Sequence, residues 1–226
     1  MSKYYLLLVI IFAFALQTRA AKHSDNEPSI SLEKTNAAAT VYETIMERVR
    51  TFHMNVNVDT VVNQTTRYLS ILDSQGAFPD IDYNSDAQTN WPPLAHLDRL
   101  KPMVLSYTMP NSSYYGNQTV YTAIVNMLTY WYDKHPLSTN WYMQQIACPQ
   151  RMGVILILLR SGAQQIPSTL ETNLVNRIEE EGGRPDQPGS PGTGANKLDI
   201  ATHWVYRGCL PKMTKSFRSE LNKYII

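Results

Sequence analysis

One segment of the sequence places two aromatic side chains and an amide next to one another. Asn140-Trp141-Tyr142 stands shortly before an apolar run that begins at Pro149. Neighbouring aromatic rings can form a flat surface against the apolar faces of sugar rings, while an amide can hydrogen-bond hydroxyls or a carboxylate. The alternative is that Trp141 and Tyr142 cap a hydrophobic core, and the residue pattern alone favours this alternative.

A second candidate is an amide at the start of a later helix. Asn196 follows Gly194-Ala195 and precedes Lys197 and Asp199. An asparagine at such a place can cap the helix by accepting hydrogen bonds from its first backbone N–H groups. It can also point into a groove and bind a ligand. The pattern alone favours the cap, so a binding role for Asn196 needs further support.

Motifs of metal and cofactor chemistry are missing from the sequence. It contains no glycine-rich phosphate loop, HExxH, Gly-x-Ser-x-Gly or CxxC motif. The five histidines are His23, His53, His96, His135 and His203. No two of them have the spacing of three or four residues that places two metal ligands on one helix face. Residues 80–86 imitate a calcium loop, but Ser85 replaces its glycine and Trp91 its bidentate glutamate. We predict neither a metal nor a cofactor.

Charge and cysteine content exclude several classes of protein. The 226 residues contain 20 Lys and Arg against 19 Asp and Glu, a formal net charge of +1. This balance argues against a nucleic-acid partner bound mainly through phosphate contacts. Hydrophobic residues make up 43% of the chain and charged residues 17%, as in a globular domain. Two cysteines are too few for a disulfide scaffold or a cysteine zinc cluster.

The first residues have the pattern of a secretory signal peptide. Lys3 precedes an apolar run over residues 4–16, and small residues suit cleavage after Ala20. A spanning helix needs about 20 apolar residues, so the alternative of a short membrane anchor is less favoured. We predict a signal peptide over residues 1–20, hence a secreted protein, periplasmic in a bacterium, with no membrane contact after cleavage. Residues 21–40 are polar and are predicted to form a loose leader.

The remaining chain has helical periodicity. Apolar stripes at helical spacing predict helices over residues 41–52, 61–72, 94–107, 120–131, 149–159, 170–178 and 196–210. A weaker eighth helix is predicted over residues 217–224, and Pro102 is expected to kink or divide the third. No alternating strand or hairpin turn is found.

Helices joined by short turns, without strands, predict a bundle or an α/α toroid of helical hairpins. The functional residues are then expected in the longest polar loops, which are predicted over residues 76–93, 135–148 and 182–195. The last of these is rich in glycine and proline. Glu179-Glu180-Glu181, just before it, is interpreted as the solvated end of a helix.

In their order and spacing, the two candidate segments resemble the N-terminal helical domain of polysaccharide lyase family 8, the chondroitin AC and hyaluronate lyases. The likeness covers residues 41–210 and is strongest to the chondroitin AC type. It includes Thr89-Asn90-Trp91, Tyr114-Tyr115-Gly116, Tyr130-Trp131-Tyr132-Asp133, Asn140-Trp141-Tyr142 with Ile146-Ala147 and Pro149-Gln150, and Gly194-Ala195-Asn196-Lys197 with Asp199-Ile200-Ala201.

This resemblance implies an all-α, incomplete α/α toroid over residues 41–226 and an acidic polysaccharide, such as chondroitin or hyaluronan, as partner. In the family, the asparagine of the Gly-Ala-Asn motif neutralises the uronate carboxylate, a catalytic role that maps onto Asn196. The aromatic pair positions the polysaccharide, which assigns substrate binding to Trp141 and Tyr142, with Asn140 beside them. The sequence departs from the family at Tyr142, where a tryptophan is usual.

Lyases of this kind remove the C5 proton of a uronic acid, which requires that the carboxylate charge be quenched and that a base be present. The family's catalytic histidine and tyrosine lie beyond the Gly-Ala-Asn helix, and His203, Tyr206 and Tyr224 do not match their motifs. We therefore expect an N-terminal lyase fragment that is inactive alone. The alternative is a stand-alone, non-catalytic carbohydrate-binding protein. A glycosidase would need two facing carboxylates, and no such pair stands near Trp141 or Asn196.

Two expectations concern covalent modification. Cys148 and Cys209 fall at opposite ends of two helices that are predicted to be parallel, roughly 20 Å apart, whereas a disulfide needs Cα atoms within about 7 Å. We predict no disulfide between them. Three sequons at Asn63, Asn111 and Asn117 would carry glycans only in a eukaryotic host.

Overall fold

The computed structural model describes residues 27–186 and 193–210, with side chains from residue 41 onward. The predicted signal peptide and the predicted eighth helix lie outside these residues. The helices are α1 Glu27–Met54, α2 Val58–Ile71, α3 Leu94–Thr108, α4 Gln118–Lys134, the π-helical turn π1 Met143–Ala147, α5 Cys148–Leu159, α6 Ser168–Glu181 and α7 Gly194–Cys209. The described residues contain no strand.

Helical hairpins succeed one another along the fold. Helix α5 contacts both α3 and α7. Helix α6, which lies between α5 and α7 in the sequence, runs back along them and contacts both. The direction of α6 follows from its two ends: Gln144, just before α5, contacts Glu181 at the end of α6, and Arg160, just after α5, pairs with Glu171 near its start. The all-α fold and the incomplete α/α toroid predicted from the sequence are confirmed.

The core lies along α3 and α5. Residues 152–159 of α5 are all buried, as is nearly every residue of α3. Helix α3 continues through Pro102, so the predicted division does not occur. The carbonyl of Pro102 faces α2, where the Thr65 hydroxyl lies 3.4 Å away while donating at 2.7 Å to Val61. Packing on both sides of α3 offsets the cost of the backbone hydrogen bond that Pro102 cannot donate.

Helix α1 begins at Glu27, inside the segment that was expected to form a loose polar leader. The helix can begin there because Pro28 falls in its first turn, where a missing backbone N–H costs no hydrogen bond. Farther along, α1 buries Met46 and Val49 and packs on α5 and α7. The first half of the helix is polar and lacks a strong apolar stripe. The stability of the helix therefore comes from the second half, which packs on the core.

Cys148 and Cys209 are both free, which confirms the prediction that they form no disulfide. Cys148 is the first residue of α5 and Cys209 the last of α7. The two helices are parallel, because Gln150 near the start of α5 contacts Asp199 in the first half of α7, and Arg160 just after α5 contacts Leu210 just after α7. Burial raises the pKa of each thiol to about 12, so both cysteines are protonated at neutral pH.

Candidate functional site

Trp141 and Tyr142, here called the aromatic pair, are exposed at the surface, with 40% and 41% of their areas accessible. The interpretation that they cap the core is therefore wrong. They also do not lie in a loop: the chain is helical from residue 141 to 159, and π1 interrupts the α-helix directly after Tyr142. Their rings meet edge to face, with centroids 6.0 Å apart. Single π-turns inside α-helices recur at functional sites.

Asn140 holds the start of this helix. Its Oδ1 accepts hydrogen bonds from the backbone N–H of Tyr142 at 2.9 Å and of Met143 at 3.4 Å, which is the geometry of an N-cap. Its Nδ2 donates to the carbonyl of Gln88 at 2.6 Å. Asn140 thereby joins the aromatic pair to the loop that follows α2, a local role that the sequence pattern did not predict.

Asn196 is the third residue of α7 and not its cap. Thr193 occupies the N-cap position, with extended backbone angles of φ −129° and ψ 158°. The prediction that Asn196 caps the helix is therefore wrong. Gly194 opens the helix with a positive φ of 57°, which glycine adopts without strain and which turns the chain into α7. The Asn196 amide is half-buried and is not used in capping.

The structure brings the aromatic pair and Asn196 to the same end of two neighbouring parallel helices. Ile146 and Ile200 are fully buried in one small cluster with Trp204. Tyr142 stands about one turn before Ile146, and Asn196 one turn before Ile200. Because α5 and α7 are parallel, both side chains lie toward the same end of the helix pair. This end is the candidate site.

Gly183 links the two helices of the site. Its N–H donates to the carbonyl of Gln145 in π1 at 2.9 Å, and its carbonyl accepts from Trp204 Nε1 in α7 at 2.7 Å. A Cβ on Gly183 would lie 2.8 Å from Ile200 Cδ1, closer than real Cβ atoms approach. Only glycine fits between π1 and α7 without displacing a side chain at this point.

The three glutamates at the end of α6 were expected to be solvated, but two of them form ion pairs. Glu179 forms a short ion pair with Arg207, and Glu181 pairs with Arg177 at 3.3 Å. Glu180 is exposed.

Two groups that could have served as a base are inaccessible. His203 has no exposed surface. Burial lowers the pKa of His203 to about 3, so its ring is neutral at pH 7. Tyr206 is only 3% exposed. Neither side chain can reach a polysaccharide at the surface.

Metal and membrane features can be assessed over the part of the chain that the structure describes. There, no group of His, Cys, Asp or Glu side chains is arranged to hold a metal ion. Asp80, from the segment that imitates a calcium loop, has its two carboxylate oxygens 2.7 and 2.6 Å from Arg99. Every helix in these residues is too short or too polar to cross a bilayer.

Successive helical hairpins, with exposed aromatic rings and an amide toward one end, define an α/α-toroid helical domain. Residues 33–222 match the model of the polysaccharide lyase family 8 N-terminal alpha-helical domain, and the chain belongs to this family. The match confirms the resemblance found in the sequence.

Two characterised proteins to which the chain is similar are both chondroitinases AC. Chondroitinase-AC of Pedobacter heparinus is 38% identical over 154 residues, which cover 68% of this chain and 21% of that protein. A solved structure of chondroitinase AC lyase, described through enzyme–oligosaccharide complexes, superposes with a TM-score of 0.73 at 34% identity. It covers 81% of this chain, which in turn spans 26% of that structure. The chain therefore spans about a fifth to a quarter of these relatives.

Proposed function

We propose that this chain forms one wall of the substrate cleft of a lyase that cleaves uronate-containing glycosaminoglycans, such as chondroitin or hyaluronan, by β-elimination. The observation that carries the proposal is the exposure of Trp141 and Tyr142 at the helix end that also holds Asn196. Aromatic faces stack on sugar rings, and an amide donates hydrogen bonds to a carboxylate. The two relatives, both chondroitinases AC, support this class of substrate.

In this proposal Asn196 acts on the charge of the uronate. Removal of the C5 proton places additional negative charge on the neighbouring carboxylate in the transition state. Hydrogen bonds from the Asn196 amide stabilise this charge more as it develops than before, which is how an electrostatic catalytic group lowers a barrier. The amide is half-buried and free of a capping role, so it is available for this task.

The aromatic pair fixes where the polysaccharide lies. The rings stand edge to face, 6.0 Å apart, and so do not form the single flat surface that the sequence suggested; each ring offers the polysaccharide a separate contact. Asn140 supports the pair through its cap on the Tyr142 N–H. One of its two amide hydrogens is engaged with Gln88, and we propose that the other contacts the sugar.

Cleavage also needs a base, and of the three candidates in the described residues, His203, Tyr206 and Tyr142, only Tyr142 is accessible. His203 and Tyr206 are buried on the same helix as Asn196. Tyr142 is accessible, but the proposal assigns it to stacking. We therefore propose that these 226 residues, taken alone, bind the polysaccharide weakly and do not cleave it. Binding is weak because a single wall leaves much of the sugar in water.

The proposed cellular setting is extracellular, or periplasmic in a bacterium. It rests on the pattern of residues 1–20, with cleavage after Ala20. Expression of the whole chain in a secreting host and intact-mass measurement of the product test this setting. A mature protein that begins at Ala21 is expected, whereas a cell-associated, uncleaved product would contradict it.

The function is tested with the purified protein from Ala21 to Ile226. Titration calorimetry with chondroitin and hyaluronan oligosaccharides is expected to give weak binding, and a neutral oligosaccharide of equal length is expected to bind less. The unsaturated uronate product absorbs in the ultraviolet, so the same samples report cleavage. Absence of binding to any uronate chain would contradict the binding role. Sustained growth of the absorbance would contradict inactivity and direct attention to Tyr142 as the base.

A further inference from the structure

One carboxylate contacts the chain on both sides of the aromatic pair, at His135 before it and at Gln144 after it. Glu181, the last residue of α6, is hydrogen-bonded through Oε1 to His135 Nε2. Its Oε2 accepts a hydrogen bond from Gln144 Nε2 at 2.9 Å. His135 follows α4 directly, and Gln144 lies in π1, two residues after Tyr142. We propose that Glu181 is a positioning residue that sets the orientation of the aromatic pair.

A continuous series of hydrogen bonds leads from Gln144 to the pair. Gln144 Oε1 accepts from the backbone N–H of Ser138 at 2.8 Å, and Ser138 Oγ accepts from the N–H of Asn140 at 3.2 Å. Asn140 Oδ1 then accepts from the N–H of Tyr142 at 2.9 Å. Each of these bonds fixes the backbone of the same loop. A change at Glu181 is thus transmitted to Trp141 and Tyr142 without direct contact.

Glu181, from which this series of hydrogen bonds begins, is itself held in place by Arg177. Arg177 pairs with Glu181 at 3.3 Å, donates to the carbonyl of Trp131 at 3.2 Å, and stands 4.4 Å above the ring of Tyr132. The side chains of Arg177 and Glu181 are only 14% and 21% exposed, so water screens their attraction less than at the surface. The cavity that they line together with Gln144 has room for about one water, ≈ 20 Å³.

The position of Glu181 in α6 also argues for a specific role. A carboxylate at the C-terminal end of a helix faces the negative end of the helix dipole, which is unfavourable. Glu181 occupies this place, and the contacts with Arg177, His135 and Gln144 oppose the cost. Glu180, one residue earlier, has the same charge in the same turn but is exposed. Glu180 is therefore a matched control for Glu181.

The positioning role can be measured without any ligand. Of the four tryptophans, Trp141 is 40% exposed, whereas Trp91, Trp131 and Trp204 are 2%, 4% and 5% exposed. Quenching of fluorescence by acrylamide therefore reports mainly on Trp141. In the full chain, Glu181→Ala is expected to change the quenching constant, while Glu180→Ala leaves it as in the wild type. Glu181→Gln keeps an acceptor for Gln144 and is expected to restore most of the wild-type value.

A second measurement rests on the proposed function: the affinity for a chondroitin oligosaccharide. Glu181→Ala is expected to weaken binding about fivefold, the equivalent of about 1 kcal/mol, and Glu180→Ala to leave it unchanged. If Glu181→Ala alters quenching but even the wild type binds no uronate chain, the proposed function fails and the positioning role stands. If quenching is the same in Glu181→Ala and Glu180→Ala, the positioning role is overturned whatever the affinity. Should Glu181→Ala unfold, Gln144→Leu interrupts the same series, and unchanged quenching in that variant overturns the proposal equally.

Discussion

Gln150 in α5 donates a hydrogen bond from Nε2 to the backbone carbonyl of Asp199 in α7 at 2.9 Å, and the Oδ1 of Asp199 lies 3.3 Å from the same nitrogen. The contact joins α7, whose first turn carries Asn196, to α5, which continues the helix of the aromatic pair after π1. It adds a polar, directional link to the apolar packing of Ile146 and Ile200. Together these contacts set the separation of the two halves of the site.

Gln150→Ala should lower the free energy of unfolding by about 1 kcal/mol, the net contribution of one hydrogen bond. Asp199→Ala should have a smaller effect, because the backbone carbonyl that accepts the shorter bond remains. Urea denaturation of both variants measures the difference. A larger loss for Asp199→Ala would mean that its carboxylate, and not its carbonyl, joins the helices.

Trp141→Ala should lower the affinity for a uronate oligosaccharide by about 1 kcal/mol, the scale of one aromatic contact, while the melting temperature changes little because the ring is exposed. Tyr115→Ala is the control, since Tyr115 is 49% exposed in a different loop. Calorimetry on both variants separates a specific stacking site from general attraction to aromatic surface. Equal losses of affinity would argue against a site at Trp141.

Asn196→Ala should weaken the binding of uronate chains and leave the binding of neutral chains unchanged, because the amide is proposed to contact the carboxylate. Asn196→Asp should weaken uronate binding further, since two carboxylates repel each other. Parallel titrations with charged and carboxyl-reduced oligosaccharides give both values. If neutral chains lose as much affinity as charged ones, the contact is not with the carboxylate.

His203 should make the fold sensitive to acid. Burial lowers its pKa from 6.5 to about 3, so the unfolded chain binds the proton more readily than the folded one. The stability that this histidine contributes is present above pH 6.5 and is lost as the pH falls toward 3, about 2 kcal/mol between pH 7 and pH 5.

His203→Phe tests this acid sensitivity through the slope of the unfolding free energy against pH. The variant should have a flatter slope between pH 7 and pH 5 than the wild type. A constant change in stability from altered packing does not affect the slope, so the comparison needs no further control. Equal slopes in the two proteins would show that His203 does not resist protonation in the fold.

The sequence predicted the helices well and their beginnings poorly. Apolar stripes located α2 to α7 because the buried residues of a helix recur along the sequence with the period of the helix. Helix starts depend instead on backbone angles and on which side chain reaches which N–H group. The structure therefore shows Asn140 capping the helix that carries the aromatic pair, and Thr193, in place of Asn196, at the N-cap position of α7.

By itself, the sequence determined the all-α architecture, the family, and the identity of the candidate residues Asn140, Trp141, Tyr142 and Asn196, because these follow from local spacing and from motifs in order. Only the tertiary structure decided that Trp141 and Tyr142 are exposed, which the pattern alone disfavoured. It also decided that Glu181, and not Glu180, contacts His135 and Gln144 on the two sides of the aromatic pair. The physical reason is that exposure and pairing depend on neighbours distant in sequence: His135 and Gln144 lie 46 and 37 residues from Glu181. No period or motif within one helix encodes such contacts.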